Sequence, residues 1–241
     1  MLRTPSLAFC VWLLAAVQAS VSVPAYAQAA QVPDTLKQRI AACTSCHGEH
    51  GEGGHDGFNP RLAGKPERYL YQQMLDFRDG RREYPLMEYV LHPLSDAYMR
   101  EIAHYFATQH VQYRQRHPPI LTQALLDRGQ QLVRKGDPSL RIPACQACHG
   151  KRLTGAQPDI PGLLGLPFSY ISAQLESWRN GTRTARAPDC MRAIAVRLRP
   201  RDIPAVSAWF ATQAVPHQDV PAPGDALRQR LPMKCGSVER P

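Results

Sequence analysis

The chain has 241 residues, seven cysteines and a formal net charge of +9, and this length suits one or two domains. The positive charge lies in the second half: residues 28–120 carry eleven basic and eleven acidic side chains, and residues 121–241 carry seventeen basic and nine acidic ones. Apart from one run near the start, no segment is apolar over enough residues to span a bilayer, which excludes a protein with several membrane-spanning helices.

The first segment is typical of a secretory signal peptide. Arg3 precedes an apolar run over residues 7–23, and Ala-Tyr-Ala at 25–27 is a small-x-small cleavage site. We expect residues 1–27 to be removed on export, with an uncleaved membrane anchor as the alternative because the run is near the lower length limit for a span. The mature chain is therefore expected in the periplasm, where disulfides form.

Two copies of the pattern C-x-x-C-H follow, at 43–47 and 145–149. This pattern is the signature of covalent c-type haem attachment. Two thiols one helical turn apart can form thioethers with the two vinyl groups of one porphyrin edge, and the adjacent histidine binds the iron as proximal ligand. The sequence therefore predicts two covalently bound haems, held by Cys43, Cys46 and His47 and by Cys145, Cys148 and His149.

Pairs of C-x-x-C also bind zinc or form simple disulfides. A zinc ribbon needs both pairs in one small module, whereas these pairs lie in separate halves of the chain and each has its own histidine. Simple bridges within each pair would leave both histidines unexplained. We therefore interpret both motifs as haem sites.

The motifs belong to two copies of one helical unit. Apolar spacing and capping residues in the first copy predict helices over 34–42, 66–78 and 95–109, with an irregular segment before the last. The second copy begins with a predicted helix over 122–135 and ends in Phe-Ala-Thr-Gln at 210–213, identical to 106–109. No strand-like alternation stands out, so we predict an all-α protein with a few helices around each haem. The predicted boundaries are an N-terminal domain at 28–112, a linker at 113–121, a C-terminal domain at 122–215 and an irregular tail at 216–241.

The ligand opposite each histidine decides whether a haem passes electrons or binds small molecules. Met87 and Met191 occupy equivalent positions in the two copies, and a thioether is a soft ligand that raises the reduction potential. We predict that they are the sixth ligands. The methionines without a counterpart, Met74, Met99 and Met233, are assigned to packing or to the surface. Ligation by two histidines would require the halves to differ, because none of the other histidines recurs in register: His50, His55, His92, His104, His110, His117 and His217.

With these motifs in tandem, the chain resembles the cytochrome c4 family of dihaem class I cytochromes c, up to about Gln213. The resemblance implies two tandem class I cytochrome c domains whose haems lie close together. It also implies that the carbonyl groups of Pro60 and Pro161 accept a hydrogen bond from the proximal histidines. Arg82 and Arg183 resemble positions near haem propionates, with simple surface arginines as the alternative.

Two cysteines depart from the pattern of this family. Cys190 directly precedes Met191 and has no counterpart in the first half, and Cys235 lies in the tail. We predict a Cys190–Cys235 disulfide that fastens the tail over the second methionine segment and protects Met191, with two free thiols as the alternative.

These features predict a periplasmic dihaem electron carrier without substrate chemistry of its own. Electrons would arrive from a quinol-oxidising complex or a dehydrogenase and leave toward a terminal oxidase or reductase. We expect redox proteins to dock an acidic surface on the basic C-terminal domain, with a plain solvated surface as the alternative, no nucleic-acid partner, and membrane contact only through partner complexes. We also expect the second haem to have the higher potential, because positive charge disfavours ferric iron. The alternatives for function are a dihaem peroxidase or small-substrate dehydrogenase, and a fixed cytochrome subunit of a membrane dehydrogenase.

Overall fold

The computed structural model describes residues 34–54, 57–113, 121–215, 220–224 and 231–238, which belong to one compact unit. The predicted signal peptide, most of the predicted linker and parts of the predicted tail lie outside these ranges. Within these ranges, every helix is too short or too polar to cross a membrane.

Among the described residues, the first half contains five helices, of which one carries the first haem motif and another carries its predicted methionine ligand. Ser95 starts the last of them, since its hydroxyl accepts a hydrogen bond from the backbone N–H of Tyr98. In chain order the helices are α1 (Leu36–Arg39), α2 (Ala41–His47), α3 (Glu67–Arg78), α4 (Pro85–Leu91) and α5 (Asp96–Ala107).

Helix α4 is a correction to the sequence analysis, which predicted an irregular segment around Met87. Pro85 occupies the first turn, where its missing N–H leaves no intrahelical bond unmade. The Glu88 carboxylate accepts the N–H of Tyr84 and so caps the start. Seven residues are about two turns, which is too short for apolar periodicity to show.

The second half repeats the order of the first. Its helices are α6 (Gln123–Arg134), α7 (Gln146–His149), α8 (Phe168–Asn180), α9 (Cys190–Ala195) and α10 (Asp202–Thr212), with a 3-10 turn at Pro138–Leu140. Two short strands, β1 (Gly155–Ala156) and β2 (Ile160–Pro161), pair antiparallel after the second haem motif. The described residues are thus mainly helical and have the class I cytochrome c fold, as predicted.

Each half has its own apolar core. In the second half, α6 and α10 approach so closely that a Cβ atom at Gly129 would collide with the carbonyl oxygen of Ala205. Leu132, Val133, Ile203 and Phe210 from these two helices are buried there. In the first half, α3 and α5 bury a corresponding set, which includes Leu70, Ile102 and Phe106.

The halves meet along the segments that follow α3 and α8. Arg82 and Arg183 pair as an antiparallel bridge. On either side of this pair, the N–H of Glu83 donates to the carbonyl of Thr182 at 2.8 Å, and the N–H of Thr184 donates to that of Arg81 at 2.6 Å. The two predicted haem sites are therefore held in one unit by backbone contacts.

Candidate haem centres

Both motif histidines are buried and oriented in the same way. Nδ1 of His47 lies 2.9 Å from the carbonyl oxygen of Pro60, and Nδ1 of His149 lies 2.8 Å from that of Pro161. A carbonyl oxygen only accepts, so Nδ1 carries the proton and the lone pair is on Nε2. Burial lowers the pKa of both imidazoles. Each imidazole is thus neutral and held in one orientation, with an Nε2 lone pair that could bind a metal.

A glycine directly after each motif lets the chain turn back over the histidine. Gly48 has φ of +87° and Gly150 has φ of +84°, a conformation that other residues rarely adopt. After the first of these turns, the N–H of Gly53 donates to the carbonyl of His47 at 2.7 Å. Each proline segment can therefore return beside its histidine.

The motif thiols lie in apolar surroundings. Burial raises the pKa of Cys43 and Cys148 to about 11 and that of Cys145 to about 12. Such positions suit neutral thioethers and disfavour the thiolates that zinc requires. Across the ranges that the structure describes, no three or more histidine, cysteine or carboxylate side chains are grouped to hold a bare metal ion.

A cavity of about 900 Å³ opens beside the second motif and is called the second cavity for this reason. Its volume is at the upper end of the range for cofactor pockets, roughly 300–1,000 Å³. Cys145, Cys148 and His149 line one part of its wall, and Met191 lines another. The residues needed to attach a haem and to bind its iron from both faces therefore share one cavity.

The two predicted methionine ligands occupy equivalent places on short helices. Met191 on α9 packs against the core of the second half, and Met87 on α4 packs beside Leu91 and Met99 in the first. Asp189 fixes the start of α9, because its carboxylate accepts the N–H groups of Arg192 and Ala185. The remaining histidines that the structure describes are exposed: His50, His92, His104 and His110. His55, His117 and His217 lie outside the described ranges.

Arg82 and Arg183 form a pseudo-symmetric cluster between the halves and are not surface residues, being 8% and 4% exposed. Each guanidinium donates to both Gln73 and Gln174, one from each half, over 2.6–3.1 Å. Arg82 also donates to the Tyr170 hydroxyl. Burial and the neighbouring Arg82 lower the pKa of Arg183. Two buried guanidinium groups whose hydrogen-bond acceptors are neutral favour the binding of an anion. The carboxylates of haem propionates would supply this negative charge.

Comparison with known proteins agrees with this geometry. Residues 37–113 match the family model for cytochrome c. Cytochrome c4 of Pseudomonas aeruginosa is 35% identical over 200 residues, which cover 82% of this chain and 96% of that protein. The crystal structure of reduced recombinant cytochrome c4 from Pseudomonas stutzeri superposes with a TM-score of 0.63 and 31% identity, covering 74% of this chain and 96% of that one. The chain belongs to the cytochrome c4 family.

Two further relatives of this cytochrome concern thiosulfate. The thiosulfate dehydrogenase electron acceptor of Thiomonas intermedia is 35% identical over 72% of this chain and 79% of that protein. Thiosulfate dehydrogenase from Marichromatium purpuratum, in its as-isolated form, superposes with a TM-score of 0.65 and 34% identity. The match covers 71% of this chain and about a third of that one (36%).

Family membership means that this cytochrome carries two covalently bound c-type haems and transfers electrons. The residues described above fit a covalently bound haem. Trp178, which the sequence analysis did not identify, is a further residue that fits one. The indole nitrogen of Trp178 is buried without a hydrogen-bond partner, lines the second cavity and lies beneath the Arg183 guanidinium at 3.7 Å. It could donate to a haem carboxylate. Phe77 lies beneath the Arg82 guanidinium in the same way, at 4.3 Å. Phe77 and Trp178 are 101 positions apart, which is the offset between the two copies. This recurrence of an aromatic residue was the sequence signal that could have identified Trp178.

Cys190 and Cys235 form a disulfide in the structure, with an S–S distance of 2.17 Å and a Cα–Cα distance of 5.1 Å. The bond joins α9, beside Met191, to the C-terminal tail. Met233, which the sequence analysis assigned to packing or the surface, lines the second cavity from this tail.

Proposed function

We propose that this cytochrome is a periplasmic carrier of single electrons between a respiratory donor and a terminal oxidase or reductase. The observation that supports the proposal is that His149 and Met191 line the same cavity. A haem iron that both residues bound would have no open face for an external ligand. The equivalent placement of His47 and Met87 supports the same ligation at the first haem. In this account Cys43, Cys46, Cys145 and Cys148 hold the haems covalently, and Arg82 and Arg183 contact propionates.

The periplasmic location is supported by the signal-type sequence of residues 1–27 and by the Cys190–Cys235 disulfide, since disulfides persist mainly in oxidising compartments. Contact with a membrane would occur only through partner complexes. The proposed division into domains at 28–112 and 122–215 follows the two copies of the helical unit.

Redox partners are proposed to dock an acidic surface on the basic second half. Exposed basic side chains flank the second haem motif in the sequence: Arg134, Lys135, Arg141, Lys151 and Arg152. The first of these is tied to the motif, because its guanidinium donates to the side chain of Gln146 and to the carbonyl of Lys151. Complementary charge at this surface would speed the encounter more than it would tighten the complex.

Binding of external ligands tests the carrier function against a dihaem enzyme. We expect the reduced protein to leave carbon monoxide unbound, and the oxidised protein to take up cyanide slowly, because both irons have six ligands. Fast binding at one haem of the native protein would contradict the proposal and favour the peroxidase or dehydrogenase alternative.

A specific donor is favoured by the two thiosulfate-related matches, namely a thiosulfate dehydrogenase. The test mixes the oxidised cytochrome with thiosulfate, with and without a thiosulfate dehydrogenase. We expect reduction of the haems only when the dehydrogenase is present. Reduction by thiosulfate alone would assign the chemistry to this chain, and copurification of the two proteins would favour a fixed subunit over a diffusing carrier.

A further inference from the structure

The C-terminal tail contacts the second haem cavity at two separate places. Leu231, Met233 and Val238 of the tail line this cavity. One attachment lies on the histidine side of the cavity and the other on the methionine side. The structure describes residues 220–224 and 231–238 of this tail, and each range contains one attachment.

The first attachment joins the tail to the strands behind His149. Ala222 pairs with Ala156 of β1: its N–H donates to the carbonyl of Gly155 at 3.0 Å, and its carbonyl accepts the N–H of Gln157 at 2.9 Å. Strand β1 pairs in turn with β2, which ends at Pro161, whose carbonyl holds His149. The tail therefore extends the same small sheet that orients the proximal histidine.

The second attachment joins the tail to the helix of Met191. The disulfide links Cys235 to Cys190, the first residue of α9. Beside it, the N–H of Gly236 donates to the carbonyl of Pro188 at 2.9 Å, and a Cβ atom at Gly236 would collide with the carbonyl of Ala187. The tail thus lies directly against the segment that leads into α9.

The first half provides an internal comparison at the residue before its methionine. Leu86 is the counterpart of Cys190, at the offset of 104 residues that relates Met87 to Met191. Leu86 is 53% exposed, whereas Cys190 is partly buried and is bonded to the tail. The cross-link therefore distinguishes the second methionine helix from the first.

We propose that the tail is a strap that keeps Met191 on the second iron by tying the methionine side of the cavity to the histidine side. Loss of the ligand requires α9 to move away from the cavity, and both attachments oppose that movement. A cross-link also removes conformations that α9 and the tail could otherwise reach. Cys190, Cys235 and Ala222 act as positioning residues through Met191. The inference rests on the proposed methionine ligation.

The test is the rate of cyanide binding to the ferric protein in Cys190→Ser/Cys235→Ser, followed by stopped-flow absorption. We expect binding at one of the two haems to accelerate at least tenfold, because cyanide enters when the methionine leaves, while the other haem keeps its wild-type rate. Ala222→Pro, which removes the N–H that bonds to Gly155 and also fixes φ at this position, should accelerate the same haem by a smaller factor with the disulfide intact. Leu86→Ser is the matched control at the counterpart position and should change neither rate.

Proton NMR of the reduced protein separates this proposal from the proposed function. An iron-bound methionine gives a strongly upfield-shifted methyl signal, and Met191→His assigns the signal of the second haem. Unchanged cyanide rates in both strap variants, or equal acceleration at both haems, would overturn the strap while the methionine signals persist. A native protein without the second methionine signal would overturn both proposals.

Discussion

At the scale of single residues, a positively charged side chain of the first half lies beside the second haem site. The ammonium group of Lys65 donates to the carbonyl of Gly162 at 3.3 Å, next to the Pro161 carbonyl that holds His149. Its charge also contributes to the lowered pKa of His149, although burial is the larger cause. Leu166 is the counterpart of Lys65 in the second half and is buried and apolar.

Lys65→Gln should therefore lower the reduction potential of the second haem by tens of millivolts and leave the first nearly unchanged. A unit charge acting over about 10 Å at an effective dielectric of about 20 contributes roughly 1–2 kcal/mol against ferric iron. The measurement is a spectroelectrochemical titration that resolves both haems, with Lys37→Gln as an exposed control. Equal shifts in the two variants would show that only net charge matters.

Asp137 should make the second half sensitive to acid. The Ser139 hydroxyl and the Arg128 guanidinium lower its pKa to about 2, from an ordinary value near 3.8. Because the folded-state pKa is depressed, its stabilising contribution is complete above pH 3.8 and is lost as the pH falls through about 2. We expect the Tm of Asp137→Asn to lie below that of wild type at pH 5. The gap should narrow when both are measured at pH 2.5, and a gap that does not depend on pH would refute this role.

At the scale of elements, the contact between α6 and α10 sets the core of the second half. Gly129 permits it, since the carbonyl of Ala205 and the Cβ atom of Trp209 occupy the space of a side chain. The sequence predicted the first of these helices over 122–135, and the repeat of residues 106–109 at 210–213 indicated the second. It did not predict that this glycine permits the close approach, because a glycine inside a helix indicates by itself only a residue that forms helices weakly.

Gly129→Ala should lower the free energy of unfolding by about 1–2 kcal/mol. The better helix propensity of alanine, worth about 1 kcal/mol, offsets only part of the overpacking. Thermal or denaturant unfolding of the haem-loaded protein measures the change. Gln130→Ala on the exposed side of the same helix is the control and should be neutral or slightly stabilising. A Gly129→Ala protein as stable as this control would contradict the close approach of the two helices.

At the scale of the whole molecule, the sequence predicted what is local or repeated. The haem motifs are contiguous, and the 101-residue offset paired Pro60 with Pro161 and Arg82 with Arg183. Contacts between distant segments were not predictable in this way. Arg82 bonds to Gln174, 92 positions away, and Ala222 pairs with Ala156 through backbone atoms that carry no sequence signal. Helix α4 was missed because its seven residues are too few for apolar periodicity to show.

Each iron of this cytochrome is proposed to lie between one histidine and one methionine. The most direct test is the absorption spectrum of the oxidised protein, with haem content measured on the same sample. We predict two haems per chain and a long-wavelength sulfur-to-iron band with the intensity of two methionine-ligated haems, which disappears on reduction. A single haem per chain, or a band with the intensity of one methionine or none, would contradict the claim.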